Sequence, residues 1–285
     1  MLSSDEKLII NTMERRQRIA KDTSLIVTTY NRPVFLEIVL KSIMRQRVLP
    51  VEVIIADDGS SDETGELINR YVRVFPVPLI RSWIPDEGFR LAKSRNMAIA
   101  RSKGDYIIAI DGDIVLSRNF VRDHILARKP GYFINGGRAR LTESATKKRC
   151  TTLNDKFSVF SYGLKRPLTM LRLPWLHNII KGEEGTRKIR GCNMSFWRSD
   201  LIAVNGFEER IEGWGCEDTE LAVRLFNNGV KRLNISGLAS CVHLYHPGDK
   251  DSSVTRVENA KIEENSILKR KRRADLGIDQ YLYRS

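Results

Sequence analysis

The chain is poor in cysteine, in histidine and in long apolar runs, and each scarcity excludes something. Its 285 residues include four cysteines, Cys150, Cys192, Cys216 and Cys241, widely spaced and without a C-x-x-C pair. That pattern argues against a zinc site or a disulfide framework and suits thiols used as small core side chains. No apolar run approaches the ~18 residues of a membrane-spanning helix. The longest runs, Leu25-Ile26-Val27, Val51 to Ala56 and Tyr106 to Ile110, are short and β-branched and read as buried strands. Asp5, Glu6 and Lys7 interrupt any secretory apolar block at the N-terminus, so a cytoplasmic location is expected. Also missing are G-x-G-x-x-G and G-x-x-x-x-G-K-[ST], which leaves dinucleotide oxidoreductases and P-loop enzymes unsupported. There is no internal repeat and no low-complexity tract.

Acidic residues are outnumbered, 35 Asp/Glu against 48 Lys/Arg, for a net charge of +13. The excess is uneven: residues 138–190 hold 13 Lys/Arg against 4 Asp/Glu, and Lys269-Arg270-Lys271-Arg272-Arg273 forms a second knot. Such patches suit polyanions such as phosphates, an anionic membrane face, an acidic glycan or nucleic acid, or else are solvated helix faces.

What is present is an alternation. Residues 1–22 read as a surface helical arm. Strands follow at Ser24–Thr29, Val51–Ala56, Pro78–Ser82 and Tyr106–Ile110, with helices at Leu36–Met44, Glu63–Val74 and Leu91–Ser102 between them. This order predicts an α/β fold with a mostly parallel sheet covered by helices. Sheets of that kind bind ligands beyond the carboxyl ends of their strands, where Asp57, Asp58, Asp111 and Asp113 fall. The second half is less regular. Residues 141–190 read as basic and loop-rich, Gly191–Trp197, Val230–Ile235 and Ser240–Leu244 as strands, Gly213–Asn228 as a turn and helix, and Asp251–Asp279 as a charged helix. The working division is an N-terminal arm (1–22), a first half (23–130), a second half (131–250) and a basic C-terminal helix (251–285).

Two carboxylate clusters carry the chemistry. In Asp111-Gly112-Asp113, at a strand end, a glycine between the acids lets the chain turn so that both face a cation and a ribose. Hard divalent cations take such oxygen ligands and keep positions open for phosphate. In Gly213-Trp214-Gly215-Cys216-Glu217-Asp218, the indole of Trp214 offers a flat apolar face for a sugar, and a carboxylate opening the next helix is placed to take a proton from a hydroxyl. Helix capping is the plainer alternative for Glu217 and Asp218. Asp58 can accept the imide N–H of uracil, Tyr30 can stack on a base and Thr28 can hydrogen-bond to it. His243 and His246 lie near a strand end, with His243 the preferred partner of Asp113 at a metal.

With these residues in place, the chain resembles a family 2 glycosyltransferase of the GT-A fold whose second half is of the galactosyltransferase type shared by animal β-1,4-galactosyltransferases and bacterial chondroitin polymerases. Val27–Arg32, Ala56–Asp62, Gly88–Ala92, Arg95–Ala98 and Asp111–Asp113 carry the first resemblance; Gly191–Phe196, Asn205–Phe207 and Gly213–Asp218 carry the second. The resemblance implies that Thr28, Tyr30 and Asp58 hold the uracil end of a UDP-sugar and that Arg90 lies near the donor. It places Asp111 on ribose or sugar, and Asp113 with His243 on Mn2+ or Mg2+. Trp214 and Glu217 line the sugar pocket and Asp218 is the base. An Asp at 218, where related retaining enzymes have Asn, implies inversion. Cys216 departs from the family's Trp-Gly-Gly-Glu-Asp, so the donor sugar does not carry over. The expected partners are a UDP-sugar and a glycan or lipid-linked acceptor in bacterial surface polysaccharide synthesis, with the segment from Phe157 to Lys181 at an anionic membrane surface or packed as helices over the core. A non-catalytic glycan- or nucleotide-binding scaffold and a nucleic-acid-binding protein are the competing classes. No nucleic-acid-binding motif supports the second, so no nucleic acid partner is expected.

Overall fold

A computed structural model describes residues 17–175, 182–183, 185–187, 189–235, 237–247 and 252–282. The first half follows the alternation read from the sequence: β1 (Arg18–Thr29), α1 (Pro33–Met44), β2 (Val48–Asp57), α2 (Asp62–Val72), β3 (Leu79–Trp83), α3 (Leu91–Arg101) and β4 (Tyr106–Asp111). Helix α1 starts earlier than its apolar stripe because Pro33 lacks an N–H that the first turn could not use anyway.

The remaining elements are β5 (Ile114–Leu116), α4 (Phe120–Ala127), β6 (Tyr132–Asn135), β7 (Ala139–Leu141), α5 (Glu143–Thr152), β8 (Leu164–Lys165), β9 (Gly182–Glu183), β10 (Asn193–Trp197), α6 (Arg198–Ala203), α7 (Glu217–Asn227), β11 (Lys231–Asn234), β12 (Cys241–His243), α8 (Ser252–Leu268) and α9 (Asp279–Leu282). Eight strands make one sheet, in the order β3-β2-β1-β4-β10-β6-β11-β9. β3, β2, β1 and β4 are parallel, and β10 joins β4 antiparallel, with Asn193 opposite Ile110. Strands from the second half thus continue the sheet of the first. A smaller sheet, β5-β12-β7-β8, stands beside it.

Both faces of the main sheet are covered, which is why its strands are apolar without alternation. Leu25 and Val27 of β1 pack on one side with Leu36, Val39 and Ile43 of α1. Ile26 points to the other, with Ala98 and Ile99 of α3 and Leu221 and Leu225 of α7. Each such side chain contributes roughly 1.5–3 kcal/mol on burial, and together they fix the strand ends that carry the acids.

Four expectations change. Arg18–Asp22 form the start of β1, paired with Val48–Pro50 of β2, and are not helical; residues 1–16 lie outside the described residues. Glu143–Thr152 is a helix inside the stretch expected to be loop, capped by Thr142, whose hydroxyl accepts from the Ala145 N–H. Phe157–Trp175 holds a short strand, a 3-10 turn at Pro167–Met170 and 3-10 backbone at Pro174 and Trp175, so no α-helix pair covers the core among these described residues; Leu176–Lys181 lie outside the described residues. The C-terminal helix stops at Leu268, and the basic knot is a turn with Arg270 at φ 46°. Its carbonyls at Lys271 and Arg272 accept from Asn227 and Asn228, and Lys271 and Arg273 pair with Asp275 and Asp279. The knot therefore anchors the end of α7.

Candidate active site

The carboxyl ends of β1, β2 and β4 open onto one crevice. Thr28 pairs with Asp111 in the β1–β4 register, and its hydroxyl donates to Asp111 Oδ1 at 3.1 Å. Gly112 is required for a reason other than turning. A Cβ there would stand 2.5 Å from the Thr28 carbonyl oxygen, so only glycine lets the Asp-Gly-Asp loop press against β1.

Asp57 and Asp58, adjacent at the end of β2, have different tasks. Asp57 is fully buried and spent on structure, accepting from the Ser60 N–H at 2.8 Å and from Arg81 at 2.7 Å. Asp58 accepts from the Arg90 N–H at 2.8 Å through Oδ2, while its Oδ1 is buried without a protein partner. Burial pushes the Asp58 carboxyl up to about 6. A desolvated, half-satisfied carboxylate is a ready acceptor for a ligand N–H. Arg90 acts through its backbone; its guanidinium is turned onto Glu87 and the Pro85 carbonyl. Tyr30 is exposed beside this point and donates to Asp86 at 2.9 Å.

Asp113 meets both histidines. His246 Nε2 lies 2.9 Å and His243 Nε2 3.3 Å from Asp113 Oδ2, so His246, left second by the sequence, sits closer than His243. The three ligand atoms lie within 4.8 Å of one another. Burial works against the Asp113 charge, yet the His246 hydrogen bond and the nearby His243, His246 and Arg138 hold it below the ordinary carboxylate value. His243 is pushed down to about 4 by burial, and His246 is raised, chiefly by its bond to Asp113. His246 Nδ1 contacts the Pro247 carbonyl at 2.9 Å, which fixes that proton and directs Nε2 at the acid. These residues fit a divalent cation: Asp113 Oδ1 is buried with no protein partner, and a carboxylate with two imidazoles suits Mn2+ better than the all-oxygen preference of Mg2+.

The second cluster arrives on α7. Cys216, at its N-cap, adopts φ 73°, the left-handed region where the related motif has glycine. Glu217 and Asp218 occupy the first turn and are partly buried. Asp218 Oδ2 accepts from the Gly191 N–H at 2.6 Å. Burial raises both carboxyls, Glu217 to about 7, with the Asp218 charge adding to the effect on Glu217. Glu220, one residue beyond Thr219, is not part of the chemistry: it forms a buried ion pair with Arg224 at 2.6 Å, and Arg224 ties α7 to the Val204 and Gly206 carbonyls. Trp214 is half exposed, with the Arg256 guanidinium 5.3 Å from its ring centre.

Arg95 of α3 joins the two clusters. Its guanidinium is buried, stands 5.1 Å from the Phe207 ring centre, donates to Asp111 at 2.9 Å and lies 3.6 Å from Glu217. Sequence reasoning gave Arg95 no role, although it lies in a stretch that carries the family resemblance. Its signal was a lone arginine on the apolar side of a helix. Arg138 was likewise unassigned; it donates to Cys192 Sγ at 2.8 Å and lies near enough to Asp111 and Asp113 for their charges to act on it. His124, buried, satisfies core hydrogen bonds to Ser195 and Asn193 and has no part in the site. A cavity of about 880 Å³, lined by Gln17, Arg47, Leu116, Arg118, Phe157 and Met170 among others, includes none of the site residues.

Residues 24–166 match the model of glycosyl transferase family 2. The chain belongs to that family. Residues 180–247 of this family 2 glycosyltransferase match a second model, described as the N-terminal domain of galactosyltransferase. Curated relatives include the hyaluronan synthase of Pasteurella multocida, 27% identical over 81% of this chain and 25% of the relative. The chondroitin synthase of Escherichia coli is 23% identical over 84% of this chain and 37% of the relative. The chain therefore spans only 25% and 37% of the length of these relatives. Among solved structures, S. aureus TarS (1–349) in complex with UDP-GlcNAc superposes with a TM-score of 0.59 at 18% identity, over 92% of this chain and 70% of that one. GalNAc-T7 with UDP, GalNAc and Mn2+ gives 0.59 at 14%, over 88% and 48%. These likenesses establish a GT-A-like mixed α/β fold with a mainly parallel central sheet.

Proposed function

We propose that the enzyme transfers a hexose or N-acetylhexosamine, galactose type favoured, from a UDP-sugar to a hydroxyl of a glycan or lipid-linked acceptor, with inversion, in bacterial surface polysaccharide synthesis. The observation that carries this reading is Arg95, which ties the Asp111 cluster to the Glu217–Asp218 pair and so supports one pocket with a charge-binding wall and a basic wall. Structural relatives solved with UDP-GlcNAc and with UDP and Mn2+ favour the same donor class.

In this reading the open Oδ1 of Asp58 accepts the uracil N–H, with Tyr30 at the base face. The Thr28 hydroxyl, donated to Asp111, orients that acid toward ribose or sugar. Asp113, His243 and His246 would hold Mn2+, which would supply positive charge to the leaving diphosphate. Trp214 and Glu217 line the sugar. Asp218, oriented by the Gly191 N–H, takes the proton of the acceptor hydroxyl as its oxygen bonds to the anomeric carbon and the bond to the diphosphate oxygen breaks.

UDP release measured with Mn2+ over a panel of UDP-sugars and acceptors tests the reading. Acceptor-dependent release is expected, abolished in Asp113→Ala and Asp218→Asn. Full activity in either variant would reject the assignment.

An anionic membrane is the proposed setting. Phe160 is 93%, Leu168 76%, Tyr162 72% and Trp175 65% exposed, with Lys156 before them and Lys165 among them, a composition suited to an interfacial segment. Arg172 is committed elsewhere, bidentate on buried Asp123. No helix among the described residues is long and apolar enough to cross a membrane. Flotation with vesicles should therefore require anionic lipid, and no lipid-dependent flotation would reject this setting.

A further inference from the structure

Part of the excess positive charge gathers at one place. Arg140 sits in the middle of β7, in register with His243 of β12 on one side and Lys165 of β8 on the other. Arg138 lies just before β7, close to Asp111 and Asp113. Arg190 directly precedes Gly191, whose N–H holds Asp218, and its own carbonyl is pinned by Asn135 at 3.0 Å. Arg166 follows Lys165 in a left-handed conformation, φ 59°. Burial holds the Arg140 guanidinium below its usual value, and the charges of Arg138, Arg190 and Arg166 push the same way, so each of the three acts on Arg140.

No carboxylate among the described residues pairs with Arg140, Lys165, Arg166 or Arg190. Elsewhere this protein pairs its arginines closely: Arg81 with Asp57, Arg172 with Asp123, Arg224 with Glu220. Like charges brought together without a counter-charge weaken a fold, and a guanidinium offers a planar fork matched to carboxylate or phosphate. The placement also has a direction. Arg190 borders the residue that orients Asp218, and Asp218 must face the incoming hydroxyl.

We propose that Arg138, Arg140, Arg166 and Arg190 form an anion subsite for the acceptor, so that the enzyme elongates an acidic glycan, placing its sugar next to a residue that carries a carboxylate or phosphate. This rests on the transferase reading above. The cations are spread over β7, the β8 edge and the approach to β10, which fits anionic groups spaced along a chain.

Calorimetry on the full chain with UDP and Mn2+ present tests the subsite. The probes are a uronate-containing oligosaccharide, the same oligosaccharide with its carboxyls reduced to alcohols, and a phosphodiester-linked glycan. The uronate or the phosphodiester glycan should bind at least about tenfold more tightly than the reduced probe, and whichever binds better identifies the anion. In Arg140→Gln with Arg166→Gln that preference should vanish while UDP affinity stays unchanged; Arg140→Lys should restore part of it. Equal binding of the acidic and reduced probes by the native protein would overturn the subsite and leave the transferase reading intact. So would UDP affinity falling in step in the variants, since the arginines would then serve the donor phosphates. Loss of anionic-vesicle flotation in the variants with no change in glycan binding would overturn it in favour of a lipid headgroup. Failure of the native protein to bind UDP at all would bring down the reading beneath it.

Discussion

Asp111 and Glu217 face the same buried guanidinium: Arg95 lies 2.9 Å from one and 3.6 Å from the other. One acid ends β4 and the other opens α7, so the cation connects the two carboxylate clusters. A buried arginine between two acids is costly to remove, because the partners are left charged and unpaired; breaking such a pair costs roughly 3–5 kcal/mol.

Arg95→Met should accordingly lower the melting temperature and reduce kcat by about 100-fold or more, the scale of a misplaced catalytic group. Arg95→Lys keeps the charge but loses the fork that spans both acids, so it should recover stability better than turnover. Paired thermal melts and initial rates check this; equal recovery of both would contradict a bridging role.

The acid pair sets a pH dependence. Burial first, then the Asp218 charge, raises Glu217 to about 7, and burial raises Asp218. A base must be ionised, so kcat/KM should climb with pH along an acid limb displaced above the ordinary aspartate range. Glu217→Gln removes one of two neighbouring charges and should shift that acid limb to lower pH. Stability runs the other way. The folded chain holds a proton that the unfolded chain releases near its ordinary 4.5, so this group's contribution is most favourable below that value and declines as pH rises through about 7. Glu217→Gln should therefore gain more in melting temperature, relative to the native protein, at pH 8 than at pH 5.

The metal site gives a separate expectation. His246 lies closer to Asp113 than His243 does and has its other nitrogen fixed by Pro247. Replacing either histidine by alanine should weaken Mn2+ binding at least about tenfold, a loss on the scale seen for disrupted metal shells. Mn2+ titration by calorimetry checks it, and unchanged affinity in both variants would exclude the Asp113–His243–His246 set.

Cys216 carries backbone strain. A non-glycine residue at φ 73° costs on the order of 1 kcal/mol. Cys216→Gly should stabilise the protein by about that amount, partly offset by the freer unfolded chain, and Cys216→Val should destabilise it. Denaturant midpoints measure both, and activity with a donor panel tells whether the side chain also shapes the sugar pocket.

Much of the first half was legible because its strands and helices announce themselves locally. Leu25-Ile26-Val27 and Tyr106–Ile110 are apolar on both faces, as a covered parallel strand must be, and the acids stand where strands end. The start of β1 was not legible, since Arg18–Asp22 is polar and becomes a strand only by pairing with β2. Gly112 was read as a hinge, whereas its need for a bare Cα comes from the Thr28 carbonyl, a contact between residues remote in sequence. Arg95 was missed for the same reason: α3 shows an arginine on its inner face, but only its pairing with Asp111 at the end of β4 and Glu217 at the start of α7 shows what the guanidinium joins. The basic knot misled in the opposite sense, because its charge suggested a ligand while its backbone secures α7.

Inversion requires the leaving diphosphate and the base to act from opposite sides of one sugar. The anomeric configuration of the product, read by proton NMR immediately after transfer from an α-linked UDP-sugar, tests this most directly. A β-linked product, formed by the native protein and lost in Asp218→Asn, is the expected result; an α-linked product would contradict the role given to Asp218.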